Sequence, residues 1–153
     1  MNDSLKIKGS FTITLERDGK IIEKREVDNT ITNTGLAEIA NLAGNVSTPT
    51  AFTYLAVGIG AVASSSTDTA LGSEIVDTGL ARAAATVTRV TTTVTNDTLQ
   101  LVKTWTATGA KAITEVGAFN SASTGIMLGR QVFSAINTAN TDTLTITYKF
   151  KFA

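Results

Sequence analysis

The chain has 153 residues with no Cys, no His and a single Pro, and its thirteen basic and thirteen acidic residues cancel. Without Cys there is no disulfide or thiolate chemistry, and without His the commonest general base and metal ligand are missing, so the inventory points away from catalysis. Zero net charge speaks against a nucleic-acid or anionic-membrane binder, no apolar run reaches the ~18 residues of a membrane span, and no signal peptide is expected.

Residues 1–28 hold twelve of the 26 charges and read as a charged arm and hairpin within a single domain, ahead of a body over residues 29–153. In the arm, Leu5, Ile7 and Phe11 are spaced to lie on one side of an extended segment, with Lys6 and Lys8 on the other. Such a segment can add a strand to a neighbouring sheet or join the sheet of its own domain. Phe11–Leu15 alternates apolar and hydroxyl residues, and Asp18-Gly19 supplies the positive φ that turns the chain into Ile21–Val27.

Asn29–Asn33 is turn-like. Thr34 then reads as the N-cap of a short helix with Leu36, Ile39, Ala40 and Ala43 on its apolar face and Gly44 as its stop. Phe52–Val57 is expected as a strand, broken at Gly58-Ile59-Gly60. From Ala61 to Thr78 only one turn is expected, capped by Asp68 and ended by Gly72. Strands follow over Ala84–Thr95 and Thr98–Thr108, joined at Asn96-Asp97 as a two-residue hairpin. Lys111–Asn120, Ile126–Phe133 and Thr143–Phe152 complete the set, and the last sends Leu144, Ile146, Tyr148, Phe150 and Phe152 to one side. Seven or eight strands and one short helix make an all-β protein, an antiparallel sandwich or barrel.

Few residues carry candidate chemistry. Gly58-x-Gly60 lacks the third glycine and the following helix of a dinucleotide fingerprint, and is expected to be a tight bend. Asp68, Glu74 and Asp77 are close enough in sequence for a hard cation, but their spacing is not that of a calcium loop; pairing with Arg82 or Arg89 is the plainer use. Glu115 lacks the second carboxylate a glycosidase needs, and an ion pair with Arg130 is expected. Trp105 is expected in a core or interface, with a sugar platform as the rival reading, and Arg89, Lys103 and Trp105 form at most a small basic-aromatic patch.

Several strings recur in an order that resembles a known group. They are Asn33-Thr34-Gly35-Leu36-Ala37-Glu38-Ile39-Ala40, Phe52–Gly60, Asp68–Glu74, Glu115-Val116-Gly117-Ala118-Phe119-Asn120, Met127–Phe133 and the alternating C-terminal strand. Over residues 29–153 this order is similar to small tailed-bacteriophage virion proteins, labelled capsid decoration (cement) or tail-fibre proteins. The resemblance implies a β-tulip type of sandwich that trimerises on the capsid exterior after synthesis in the host cytoplasm. Its partners would be the major capsid protein and copies of itself, without nucleic acid, membrane or cofactor. It also implies that the N-terminal extension, here Leu5, Lys6, Ile7, Lys8 and Phe11, reaches the shell or a neighbour. The rival readings are a tail-fibre or baseplate-associated protein, a carbohydrate-binding sandwich using Trp105 and residues 61–78, and a metal-dependent hydrolase built on Asp68, Glu74 and Asp77.

Overall fold

The computed structural model describes residues 4–152. In chain order the elements are β1 (Ile7–Arg17), β2 (Lys20–Asp28), β3 (Thr30–Ile31), α1 (Asn33–Gly44), β4 (Tyr54–Gly58), β5 (Ala83–Ala84), β6 (Thr86–Val90), β7 (Thr98–Thr106), β8 (Lys111–Phe119), β9 (Met127–Thr138) and β10 (Thr143–Phe152). They form two five-stranded antiparallel sheets, sheet A in the order β2-β1-β10-β7-β6 and sheet B in the order β3-β9-β8-β4-β5. The expected all-β antiparallel sandwich is what forms. It has ten strands among the described residues, because two two-residue strands, β3 and β5, join the longer ones.

Alternation explains sheet A. Phe11, Ile13 and Leu15 of β1, with Leu144, Ile146, Tyr148 and Phe150 of β10, are all buried and share one core with Leu55, Val57, Ile113, Val116 and Leu128 of sheet B. The rings of Phe11 and Tyr148 stack with centroids 4.4 Å apart. Burying such a side chain stabilises the fold by about 1.5–3 kcal/mol, so the period-2 pattern sets which face turns inward. Asp18 (φ 52°) and Gly19 (φ 74°) make the expected tight turn between β1 and β2. Arg17 at that turn pairs with both carboxylate oxygens of buried Asp142, at 2.8 and 2.7 Å, which ties the N-terminal hairpin to the β9–β10 turn.

Three local expectations need correction. The helix is capped by Thr32, not Thr34: its hydroxyl accepts from the Gly35 amide at 2.9 Å and also donates to the Met127 carbonyl. That second bond fixes the cap against β9 and moves the covered face to Gly35, Glu38, Ile39 and Leu42, leaving Leu36 42% exposed. The helix ends on Asn45 in the left-handed region (φ 49°), so Asn45 rather than Gly44 is the stop. The pair Asn96-Asp97 does not make a two-residue hairpin. The Asp97 carboxylate instead accepts from the amides of Thr92, Thr93 and Val94, each at 2.9 Å, and gathers residues 91–97 into a longer loop.

Candidate functional site

The site grows out of β8. A bulge between Ile113 and Glu115 shifts the register against β9, so Ile113, Val116 and Ala118 all face the main core while Glu115 does not. Glu115 emerges on the outer side of sheet B, yet it is 0% exposed. It is covered by the irregular segment that follows β4. Gly60 donates its amide to Oε1 at 2.9 Å, Ser73 to Oε1 at 2.7 Å and Gly72 to Oε2 at 2.9 Å. A Cβ on Gly60 would lie 2.5 Å from Oε1, so the approach of this backbone to the carboxylate needs glycine.

Arg130, 2% exposed on neighbouring β9, supplies the opposite charge. Its Nε donates to Glu115 Oε2 at 2.9 Å, its Nη1 to Asp68 at 2.8 Å and its Nη2 to the Val62 carbonyl at 3.0 Å. Desolvation pushes the Glu115 pKa upward, but the three amides and the guanidinium overcome it and hold the carboxyl below its ordinary range. Asp68 is likewise lowered against desolvation, by the Ser65 amide and Arg130. Arg130 is raised: its two carboxylates outweigh the cost of burial. The result is a closed network of groups held in their ionised forms, in which both Glu115 oxygens and one Asp68 oxygen have partners.

A second cation closes the far end of the same segment. Arg82 makes a two-pronged pair with Glu74 at 2.9 and 2.6 Å, donates to the carbonyls of Ser121 and Thr124, and lies 3.6 Å above the ring centre of Phe119. Beneath it, Ala56, Leu71, Phe119 and Met127 form a small buried cluster separate from the main core. The segment between β4 and β5 is therefore a fixed cover over the outer face of sheet B, held by two arginines and one glutamate.

This geometry decides the candidate chemistry. Asp68, Glu74 and Asp77 turn to three different cations, Arg130, Arg82 and Lys111, instead of converging on one point. Among the described residues no group of three or more acidic side chains is placed to hold a metal ion, which corrects the reading of a hydrolase centre there. Asp68 does not cap a following turn; its carboxylate accepts from the preceding Ser65 amide. Gly58-x-Gly60 wraps a protein carboxylate. The expected pairs Glu74–Arg82 and Glu115–Arg130 both form. Trp105 is 5% exposed, belongs to the main core and donates Nε1–H to the Ala81 carbonyl at 2.9 Å, so its ring offers no sugar platform. Of the basic-aromatic set, Lys103 Nζ lies 6.0 Å from the ring centre of Trp105, whereas Arg89 pairs across the ladder with Leu99, four residues from Lys103.

The N-terminal residues divide. Leu5 (66% exposed) and Lys6 precede β1 and stand in solvent. Ile7, Lys8 and Phe11 belong to β1, an inner strand of sheet A, opposite Phe152, Lys151 and Tyr148 of β10. Phe11 is fully buried in its own core, so as a residue for gripping a neighbour it is corrected to a core residue. Of the two roles open to the arm, its residues from Ile7 onward take the strand within their own domain.

Sequence reasoning did not foresee that Arg82 and Arg130 anchor one continuous cover. The available signal was the sequence 58–82 itself: four glycines and a run of small residues facing three acids, too long for an ordinary connection. No family model, curated protein or solved structure matches this chain.

Proposed function

We propose that the chain is a virion structural protein of a tailed bacteriophage, one that decorates the capsid exterior and reinforces it through protein–protein contacts, with copies of itself and the major capsid protein as partners. The observation that carries this reading is the fate of the acids in residues 29–153. All seven have partners within the chain: Asp68, Glu74, Asp77, Glu115 and Asp142 among the cations, Glu38 in Asn41 and the Thr50 amide, and Asp97 in its loop amides. Those with shifted pKa values are all lowered, the reverse of what a proton-donating acid requires. What the body offers outward is mainly hydroxyl, amide and apolar surface, with Arg89 and Lys149 among its few exposed charges, and the uncharged part can be buried against a neighbour at small electrostatic cost. The ordered strings over residues 29–153 direct the reading to a phage particle.

Electron microscopy of heads incubated with the purified protein tests it. The expected result is regular density on the outside of the capsomers, lost when the protein is omitted. Bare capsomers, with the protein bound only on tails, would overturn the decoration assignment.

A further inference from the structure

Sheet A has two edges, and they are built differently. The β2 edge carries Lys20, Glu23, Lys24, Arg25, Glu26 and Asp28 within nine residues. That load of charge keeps an exposed edge from recruiting another strand. The β6 edge, Thr86-Val87-Thr88-Arg89-Val90, carries one charge and is exposed at four of its five positions. It pairs with β7 alone, so one side of its backbone is an open row of donors and acceptors. Open, β-branched and nearly uncharged, it has the character of an edge that is meant to be covered.

Beside this edge, between sheet A and α1, lies a groove of about 770 Å³. Ile39 and Leu42 of α1, Phe52, and Phe150 and Phe152 of β10 line it, and Val87 and Arg89 of β6 border it. Arg89, exposed at the rim, is the one charged side chain among the groove's lining residues. Arg17, Arg25, Arg82 and Arg130 each pair with a carboxylate, whereas among the described residues Arg89 has none.

We infer that the β6 edge is a strand-addition site for an extended segment of a partner protein, whose alternate side chains enter the groove as large apolar groups and present one carboxylate to Arg89. Three features converge on that occupant. The open backbone row supplies main-chain hydrogen bonds, the groove takes every second side chain, and Arg89 sets register and sign. A small carboxylate amphiphile would satisfy the groove and Arg89 but leave the backbone row unmet. The inference stands on the edge and the groove, not on the location of the protein in a particle, so binding of a peptide in solution and decoration of heads are decided separately.

The test is a titration of the ¹⁵N-labelled full chain with the peptide acetyl-Thr-Glu-Thr-Phe-Thr-Val-Thr-amide, with its Glu-to-Lys counterpart, and with sodium decanoate. Saturable shifts at the amides of Thr86–Val90 are expected with the Glu peptide, and binding about tenfold weaker with the Lys peptide. Arg89→Glu is expected to reverse that preference, a result that a merely sticky surface would not give. Unmoved β6 amides, equal binding of the two peptides, or a response to decanoate alone would each overturn the inference, the last by making the groove a pocket for small amphiphiles.

Discussion

On the outer face of sheet A, Thr12 and Thr14 of β1 stand beside Thr147 and Thr145 of β10, and Thr145 meets Thr104 of β7 hydroxyl to hydroxyl at 2.9 Å. On the outer face of sheet B, Glu115 and Arg130 lie at 0% and 2% exposure under the irregular segment of residues 59–82. Both sheets contribute apolar side chains to one core, but one leaves its other face wet and the other seals it around charge. The difference teaches where this fold is brittle. A wet threonine can lose its partner and take water instead, so each contact contributes little. A sealed ion pair has no such recourse: removing one member leaves a buried charge uncompensated.

The largest effect is therefore expected at Arg130. Arg130→Met keeps much of the volume but strips the cation from both Glu115 and Asp68, and should lower stability by about 3–5 kcal/mol in urea unfolding. If that variant does not fold, Glu115→Gln and the double variant still decide the point. With the pair acting as a unit, the double variant should be more stable than the summed single losses predict. Strict additivity would show that the cover is held by its backbone hydrogen bonds alone.

Acid should separate the two faces in a milder way. The Glu115 carboxyl has its pKa lowered in the folded protein relative to the ordinary value of about 4.3. Its contribution is thus complete above that ordinary value and is lost as pH falls from there through the lower folded-state value. Thermal unfolding followed between pH 6 and about pH 3 should show a smaller acid loss in Glu115→Gln than in the parent chain. Residual loss remains, because Asp68 is also held low, by the Ser65 amide and Arg130, and Asp142 by Arg17. Identical pH profiles would mean that Glu115 does not couple to folding.

The same contrast explains what the amino-acid order discloses. In sheet A one face is wet, so Leu144, Ile146, Tyr148 and Phe150 alternate with Thr and Lys, and β1, β2 and β10 can be read directly. In β8, Glu115 to Phe119 are buried on both faces. A run such as Glu-Val-Gly-Ala-Phe has no period to show, and the bulge that turns Glu115 outward leaves no mark in the letters. The Glu115–Arg130 pair was legible because a lone acid within a strand needs a cation, and few cations exist in the body. Which amides would close around the acid was not legible, since any polar backbone can donate. The misplaced hairpin at Asn96-Asp97 has a similar cause: a local two-residue preference yields when a carboxylate can satisfy three amides at once. The groove beside β6 depends on residues from six separate stretches of chain, and only the fold brings them together.

The smallest expected effect belongs to the hydroxyl face. Thr104→Val keeps the β-branched shape that suits a strand and removes only the hydroxyl that meets Thr145. The freed Thr145 hydroxyl is on an open face and turns to water, so the loss should stay within about 0.5 kcal/mol, measured by the same urea unfolding used for Arg130→Met. Thr104→Val with Thr145→Val should be no worse than the single change, since replacing both partners leaves no polar group stranded. A loss of 2 kcal/mol or more, about the lower range of a broken buried network, would show that these rows act as a cooperative hydrogen-bonded lattice and that the wet face is held as tightly as the sealed one.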